Sequence, residues 1–350
     1  MQEFVIENGV LEKYQGTEAT VVVPEGVTAI GYRAFYYCQS LQEIQLPEGV
    51  MEIGHHAFDC CKSLEKIRIP DSVKKIGGDA FWCCSSLQEI QIPDSVTEIG
   101  RSAFAGCSSL QEIWIPDSVT KSEGFCTFMD CSSLQEIRMP DSVTVIGEGM
   151  FWDCRSLQKI QIPNRVTAIQ KRAFKSCTSL QEIRIPEGVT EIGYEAFAGC
   201  SSLREIRIPD SVISIGKHIL KDCENLSTVI ASPSIKCELC NDLYSEGLKK
   251  LCSLSGELKR DIFTNLSKPV KNKKAVLRAF IEQDDAETLN FLLDRNYIAN
   301  TKIRDELIEW AALNKKTEAV AALLAYKNRT GNLEKEEKAR EKQIKKELNI

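Results

Sequence analysis

The sequence predicts a repeat solenoid of parallel β-strands followed by an all-α module, and three observations carry that prediction. Pro24, Pro47, Pro70, Pro93 and Pro116 lie 23 residues apart; after one inserted residue, Pro140, Pro163, Pro186 and Pro209 resume the step. A fixed period in this range marks stacked coils. Ahead of the prolines apolar and polar residues alternate, as in Glu89-Ile90-Gln91-Ile92, which is the period of a half-buried strand. From about Ser234 the apolar spacing changes to three and four, the period of a helix.

Residues 1–23 read as an N-terminal cap, because an end coil would otherwise expose core and strand edge. Phe4, Ile6 and Val10-Leu11 alternate with polar residues around Asn8-Gly9, a strong hairpin turn signal. Val21-Val22-Val23 then supplies the first full strand ahead of Pro24.

Aligned on proline, each coil reads L-x-x-I-x-I-P-x-x-V-x-x-I-G-x-x-A-F-x-x-C-x-S. Proline has no N–H for the ladder and ends the strand. Val96 and Ile99 turn back into the core, and Gly100 suits a bend that a side chain would obstruct. Ala103-Phe104 and Cys107, three to four apart, predict a single helical turn. One coil buries too little apolar surface to offset the entropy of ordering it, so stability must come from stacking.

The fifth coil is irregular. Where its neighbours have Ile-Gly it reads Ser122-Glu123-Gly124, with one extra residue before Phe125-Cys126-Thr127-Phe128, and a bulge or local loop is expected there. In the last copy Ile219-Leu220 replace Ala-Phe, and Leu226, Val229 and Ala231 precede Pro233, so the array fades into a C-terminal cap.

The I-P-x-x-V-x-x-I-G-x-x-A-F-x-x-C-x-S-L units, as from Ile69-Pro70 to Leu87, resemble the bacterial leucine-rich repeats of the BspA-like (Treponema pallidum-type) family. The resemblance implies a right-handed solenoid with parallel strands on its concave side. It also implies a mostly non-enzymatic binding protein, often at the cell surface. The ligand does not carry over, because the shared residues are the core.

After the array, Leu243, Leu248 and Leu251, then Leu258, Ile262, Phe263 and Leu266, fit a helical stripe, with a break over Asn265 to Asn272. Val276-Leu277, Phe280-Ile281 and Leu289 to Leu293 are then echoed 31 residues on, by Leu307-Ile308, Ala311-Ala312 and Val320 to Leu324. The run from Ala311 to Leu324 is similar to the inner-and-outer helix pattern of ankyrin repeats. It lacks the T-P-L-H tetrapeptide and the Gly-His turn, so no β-hairpin finger is implied. Residues 333–350, with Glu and Lys intermixed, read as a solvated terminal segment. The expected organisation is therefore a leucine-rich-repeat solenoid over 1–233 and an ankyrin-like helical module over 234–350.

A net charge of −6 argues against a nucleic-acid partner, which needs a basic face. The N-terminus shows no basic segment followed by a long apolar run, and no stretch approaches the ~20 apolar residues of a membrane span. Fifteen cysteines, nine of them at one repeat position from Cys38 to Cys223, read as small buried packing residues. Thiols in this number favour a reducing compartment, so the expectation is a cytoplasmic monomer, with a cell-surface or secreted location as the alternative the family raises.

Little in the chain looks catalytic. His55 and His56 fall at turn positions, and Cys237-Glu-Leu-Cys240 with Cys252 is a lone CxxC without a second half. Cys60 and Cys83 share a column on adjacent coils, at a rung spacing of ~4.8 Å that a disulfide could span, although a reducing compartment argues against the bond. No enzyme, cofactor or metal site is expected.

The outward side of the strands is the stronger candidate. One column runs Glu43, Lys66, Glu89, Glu112, Glu136, Lys159, Glu182, Glu205; its neighbour runs Gln45, Arg68, Gln91, Trp114, Arg138, Gln161, Arg184, Arg207. The bland reading is a soluble sheet surface. The sharper one is a recognition surface, since an aromatic among Gln and Arg on an exposed strand is unusual and Trp and Arg dominate interface hot spots. The partner-binding set is then Trp114, Arg138, Glu112, Glu136, Arg184 and Arg207, docking a polypeptide. Tyr36, Trp82 and Trp152 form a second aromatic column just after Ala-Phe. They shield the turns between coils or, in the alternative reading, bind carbohydrate in an adhesin-like protein.

Overall fold

A computed structural model describes residues 3–122, 124–231, 273–283, 285–295, 297–298 and 301–331, with Ile235, Leu239, Lys259 and Ile262. The chain divides into two compact units between residues 242 and 243, among residues outside those described. Cys237, Cys240, Cys252, the stripe from Leu243 to Leu258, Phe263, Leu266, the Asn265–Asn272 break and the 333–350 tail also lie outside them.

The first unit is a parallel-strand β-solenoid of about nine turns, and each coil has three sides. On the front, Thr20–Val22, Glu43–Gln45 and Lys66–Arg68 form one parallel run. Glu112–Trp114 pairs with Glu136–Arg138, and Glu205–Arg207 with Thr228–Ile230. Single bridges join Glu89 to Glu112 and Gln161 to Arg184 to Arg207. The middle residue of each three-residue strand is buried and its neighbours are exposed, as the alternation predicts, save that Thr228 in the last is half-buried.

The second side is also a sheet. Two-residue strands at the T-x-I position, from Ala29–Ile30 to Lys121–Ser122, stack in parallel behind the N-terminal hairpin of β1 (Phe4–Glu7) and β2 (Val10–Tyr14). Asn8 and Gly9 both take positive φ, 50° and 80°, as the tight turn requires. The sheet stops at Lys121–Ser122 and a new one starts at Val145–Ile146, so the extra residue of the fifth coil breaks the second side. The front pairing of Trp114 with Arg138 runs on across it. At this junction Gly147 is a contact residue, since a Cβ there would lie 2.1 Å from the Gly124 carbonyl oxygen.

The third side corrects the expectation of a helical turn. In the first coil, Arg33, Phe35 and Tyr37 donate their N–H groups to His55, Ala57 and Asp59 of the next coil. Ala34, Tyr36 and Cys38 donate to carbonyls three residues back. Alternate N–H groups are thus committed to the neighbouring coil, which prevents the i to i−4 bonding of an α-helix. Two residues per coil, such as Arg33 and Tyr37 or His56 and Cys60, take left-handed φ near 60° to allow it.

The core is a set of columns. Eight rings from Phe35 to Phe197 stack with centroids 5.0–5.8 Å apart, widest on either side of Phe128, where the extra residue enters. Beside them Cys61, Cys84 and Cys107 donate their thiol protons to the Phe35, Phe58 and Phe81 carbonyls of the preceding coil, at 3.0–3.2 Å, and the pattern continues to Cys223. Burial pushes the Cys84, Cys107, Cys154, Cys177 and Cys200 thiols well above their ordinary value. The array fades on one side only: Val229 is still buried in a paired front strand, whereas Ile215 of the second side is half-buried where its counterparts Ile146, Ile169 and Ile192 are sealed.

Four helices can be bounded among the described residues of the second unit, α1 (Lys273–Glu282), α2 (Ala286–Asp294), α3 (Thr301–Leu313) and α4 (317–331). They make the two hairpins that the 31-residue echo predicts. Val276, Leu277, Phe280 and Ile281 of α1 face Leu289, Leu292 and Leu293 of α2 as buried stripes. Asp285 caps α2, accepting the Thr288 N–H at 3.0 Å and the Lys259 ammonium at 2.6 Å. Burial works against its charge, but these donors hold its carboxyl below the usual range. The echo is imperfect in depth: Leu307, Ala311 and Leu323 are buried, whereas Ala312, Leu313 and Leu324 are exposed. Among the described residues no helix is long and apolar enough to cross a membrane.

Candidate interaction surface

The front side presents the residues singled out from the sequence. Trp114 is 60% exposed, while every ring of the Phe column is sealed. In-register pairing sets Trp114 beside Arg138 and Glu112 beside Glu136. Two depressions meet at this point. One, of about 1280 Å³, spans the coils from Glu43 to Trp114 and ends at Arg138. The other, of about 750 Å³, runs from Trp114 and Arg138 to Gln161. Arg184 and Arg207 stand in the same column two and three coils further on and line neither depression. Four of the six residues are thus brought together.

The aromatic set is dispersed. Tyr36 (46% exposed) and Trp82 (38%) lie on the third side two coils apart, with Trp152 three coils beyond. Several of these rings already hold cations: Arg33 lies 4.9 Å from the Tyr36 centroid, and Arg172 and Lys175 each 5.5 Å from that of Trp152.

That cation pair belongs to a cluster the sequence reading missed. Buried Glu195 accepts Arg172 Nε at 3.0 Å, Lys175 Nζ at 2.6 Å and the Tyr194 hydroxyl at 2.8 Å. Burial alone would raise its carboxyl, but these hydrogen bonds hold it down to about 2. The participants come from two coils at variable positions, so only the 23-residue register could have paired them.

The histidines serve local roles. His56 Nδ1 lies 2.8 Å from Asp59 and its Nε2 3.7 Å from Asp79, whereas His55 Nδ1 accepts the Gly78 N–H. Burial raises the Asp79 carboxyl. Cys60 and Cys83 are free thiols, with burial pushing Cys60 up to about 11. Among the described residues no group of three metal-ligating side chains gathers.

A second missed feature borders the front face. The residue after each proline, from Glu25 to Asp210, is acidic in every coil but one, where Asn164 stands, and all of these positions are exposed. Asp71, Asp94 and Asp117 line the larger depression and Asp117 and Asp141 the smaller.

A family model described as "BspA type Leucine rich repeat region" matches residues 6–126 and 124–239, in six copies. The chain belongs to this family. Similar solved structures include the T. pallidum leucine-rich repeat protein, 33% identical over 55% of this chain and 82% of that one, with a TM-score of 0.42. A leucine-rich cell surface protein from Faecalibacterium prausnitzii is 27% identical over 65% of this chain and 92% of that one, TM-score 0.43. A leucine-rich repeat protein from Bacteroides ovatus is 25% identical over 66% and 88%, TM-score 0.40. No curated protein matches. In this BspA-type chain the residues that define the repeat are the Ile, Val, Phe and Cys of the core columns. Membership therefore establishes a repeat scaffold of a typically non-enzymatic kind, suited to a general interaction or adhesin-like role. What distinguishes this member lies on its outward columns.

Proposed function

We propose that this BspA-type repeat protein is a non-enzymatic scaffold that docks a polypeptide on its front strand face, around Glu112, Trp114, Glu136 and Arg138. The observation that carries the reading is Trp114. A large ring, 60% exposed, stands where two depressions meet, in a column that is polar from Gln45 to Arg207 and apolar otherwise only at its two ends, Val22 and Ile230. Central aromatic side chains of this kind supply most of the energy of protein interfaces. The Tyr36, Trp82 and Trp152 column supports the carbohydrate reading less well, because its rings are spread over six coils and two of the three are already engaged by cations. The twelve free thiols among the described residues support work in a reducing compartment.

The test is affinity capture from the native cell with the full chain and with Trp114→Ala. The partner's affinity should fall about 30-fold, the loss of a hot spot of ~2 kcal/mol. The thermal midpoint should hold, since an exposed side chain contributes within about 0.5 kcal/mol. Undiminished capture by Trp114→Ala would sink the reading, and a glycan array that lit up through Trp82 and Trp152 would replace it.

A further inference from the structure

Resting on the strand-face reading, we infer that the docked segment is basic: a Lys- or Arg-rich extended stretch that lies in the larger depression and seats one cationic side chain on Trp114. Charge is the first observation. The larger depression is lined by the carboxylates of Glu43, Asp71, Glu89, Asp94, Glu112 and Asp117 against the cations Lys66, Arg68 and Arg138. None of the six has an ion-pair partner within 4 Å among the described residues, whereas Arg68 is already paired, at 3.0 Å, with Glu48 outside the depression. A net surplus of carboxylates at rung spacing leaves like charges side by side, which an incoming cation relieves. The overall charge of −6 understates this, because residues 243–350 carry 22 Lys and Arg against 17 Asp and Glu, so the acid is concentrated in the solenoid.

The state of the ring is the second observation. Tyr36, Trp152, Tyr194 and Trp310 each have an Arg or Lys of this chain over the ring, 4.9–5.6 Å from the centroid. Trp114 has none among the described residues, although Arg138 is its partner in register. Its face is open to a cation supplied from outside, and Trp is the best ring for one. Glu112 beside it and Asp117 three residues on provide the countercharge. Geometry fixes the length of the segment. Three rung spacings of ~4.8 Å separate the coils of Glu43 and Glu112, about 14 Å, which four or five extended residues at ~3.3 Å each would cover. Arg138 sets the boundary, since beyond it Arg184 and Arg207 make the same column cationic.

The experiment presents a display library of random twelve-residue peptides to the full chain at low salt. Three variants are panned in parallel: Trp114→Ala, Asp94→Lys with Asp117→Lys, and Glu182→Lys with Glu205→Lys as a control outside the depression. Lys- and Arg-rich sequences should be enriched. Their affinity should fall about tenfold or more in the first two variants and change less than about twofold in the control, and added salt should weaken them. Enrichment of neutral or acidic sequences that still depend on Trp114 would overturn the basic class and leave the strand-face reading standing. Enrichment indifferent to Trp114, or none, would overturn both.

Discussion

Replacing Phe151 with alanine removes one ring from the middle of an unbroken column. Phe151 is fully buried, with the Phe128 centroid 5.8 Å and the Phe174 centroid 5.3 Å away, both rings within 14° of parallel. Truncating a buried Phe costs about 3–5 kcal/mol, and each stacked contact adds about 0.5–1.5 kcal/mol. Allowing for overlap between the two terms, the loss is about 4–6 kcal/mol. For a unit of this size a kcal/mol moves the midpoint by about 2–4 °C, so thermal unfolding followed by circular dichroism should shift down by about 10–20 °C. Because both neighbouring coils lose a face, limited proteolysis should open the chain near coils five to seven rather than at its ends. Phe151→Leu should recover more than half of the loss, since Leu220, 2% exposed, fills the same column in the last coil. A midpoint for Phe151→Ala within about 2 °C of the parent, or a leucine variant no better than alanine, would refute the ring column as the coupling between coils.

Four further outcomes are expected. Trp114→Ala should leave the melting curve in place while the captured partner is lost. Glu195 has a carboxyl held near 2 against an ordinary 4.5, so its stabilisation is present above pH 4.5 and disappears as pH falls towards 2; Glu195→Gln should cost about 3 kcal/mol at neutral pH and almost nothing at pH ~2, and a urea-unfolding difference that stays constant with pH would exclude this. Maleimide at pH ~8 should spare Cys84, Cys107, Cys154, Cys177 and Cys200 until denaturant is added, because burial keeps those thiols protonated; mass spectrometry of the labelled peptides reads this directly. Gly147→Ala should cost roughly 1–3 kcal/mol through its clash with the Gly124 carbonyl. Gln170→Gly, at the same position one coil on, should cost about 1 kcal/mol by releasing the Glu148 N–H, and calorimetry that reversed this order would contradict the close-approach argument.

The residues that repeat were easy to interpret, because the 23-residue register makes each buried position its own control. Ile90, Phe104 and Cys107 are where the pattern put them. The third side was not legible, since its left-handed positions are held by Arg33, Cys60, Asp79 or Ser102 with no common propensity. Their conformation is dictated by hydrogen bonds to the next coil, which no local window contains. The second sheet escaped notice because two residues are too few to display alternation. On the surface, Trp114 could be picked out as an oddity within its column. The acidic ridge was equally plain in the letters, but an acidic residue after Pro reads as ordinary turn chemistry, and only the stacking turns eight separate corners into one edge, broken at Asn164.

The third side also bears on how such a chain can change. Alternate N–H groups of each coil there are answered by the coil that follows, so on this side the contact between any two neighbours is of one kind along the array. Removing or duplicating one whole 23-residue coil, such as the one from Leu64 to Ser86, would leave every remaining junction matched. The distance from the hairpin cap to Trp114 can therefore grow or shrink in steps of one rung without redesign of the interior. Reach, in such a molecule, is set by copy number, and recognition by a few letters on the outside.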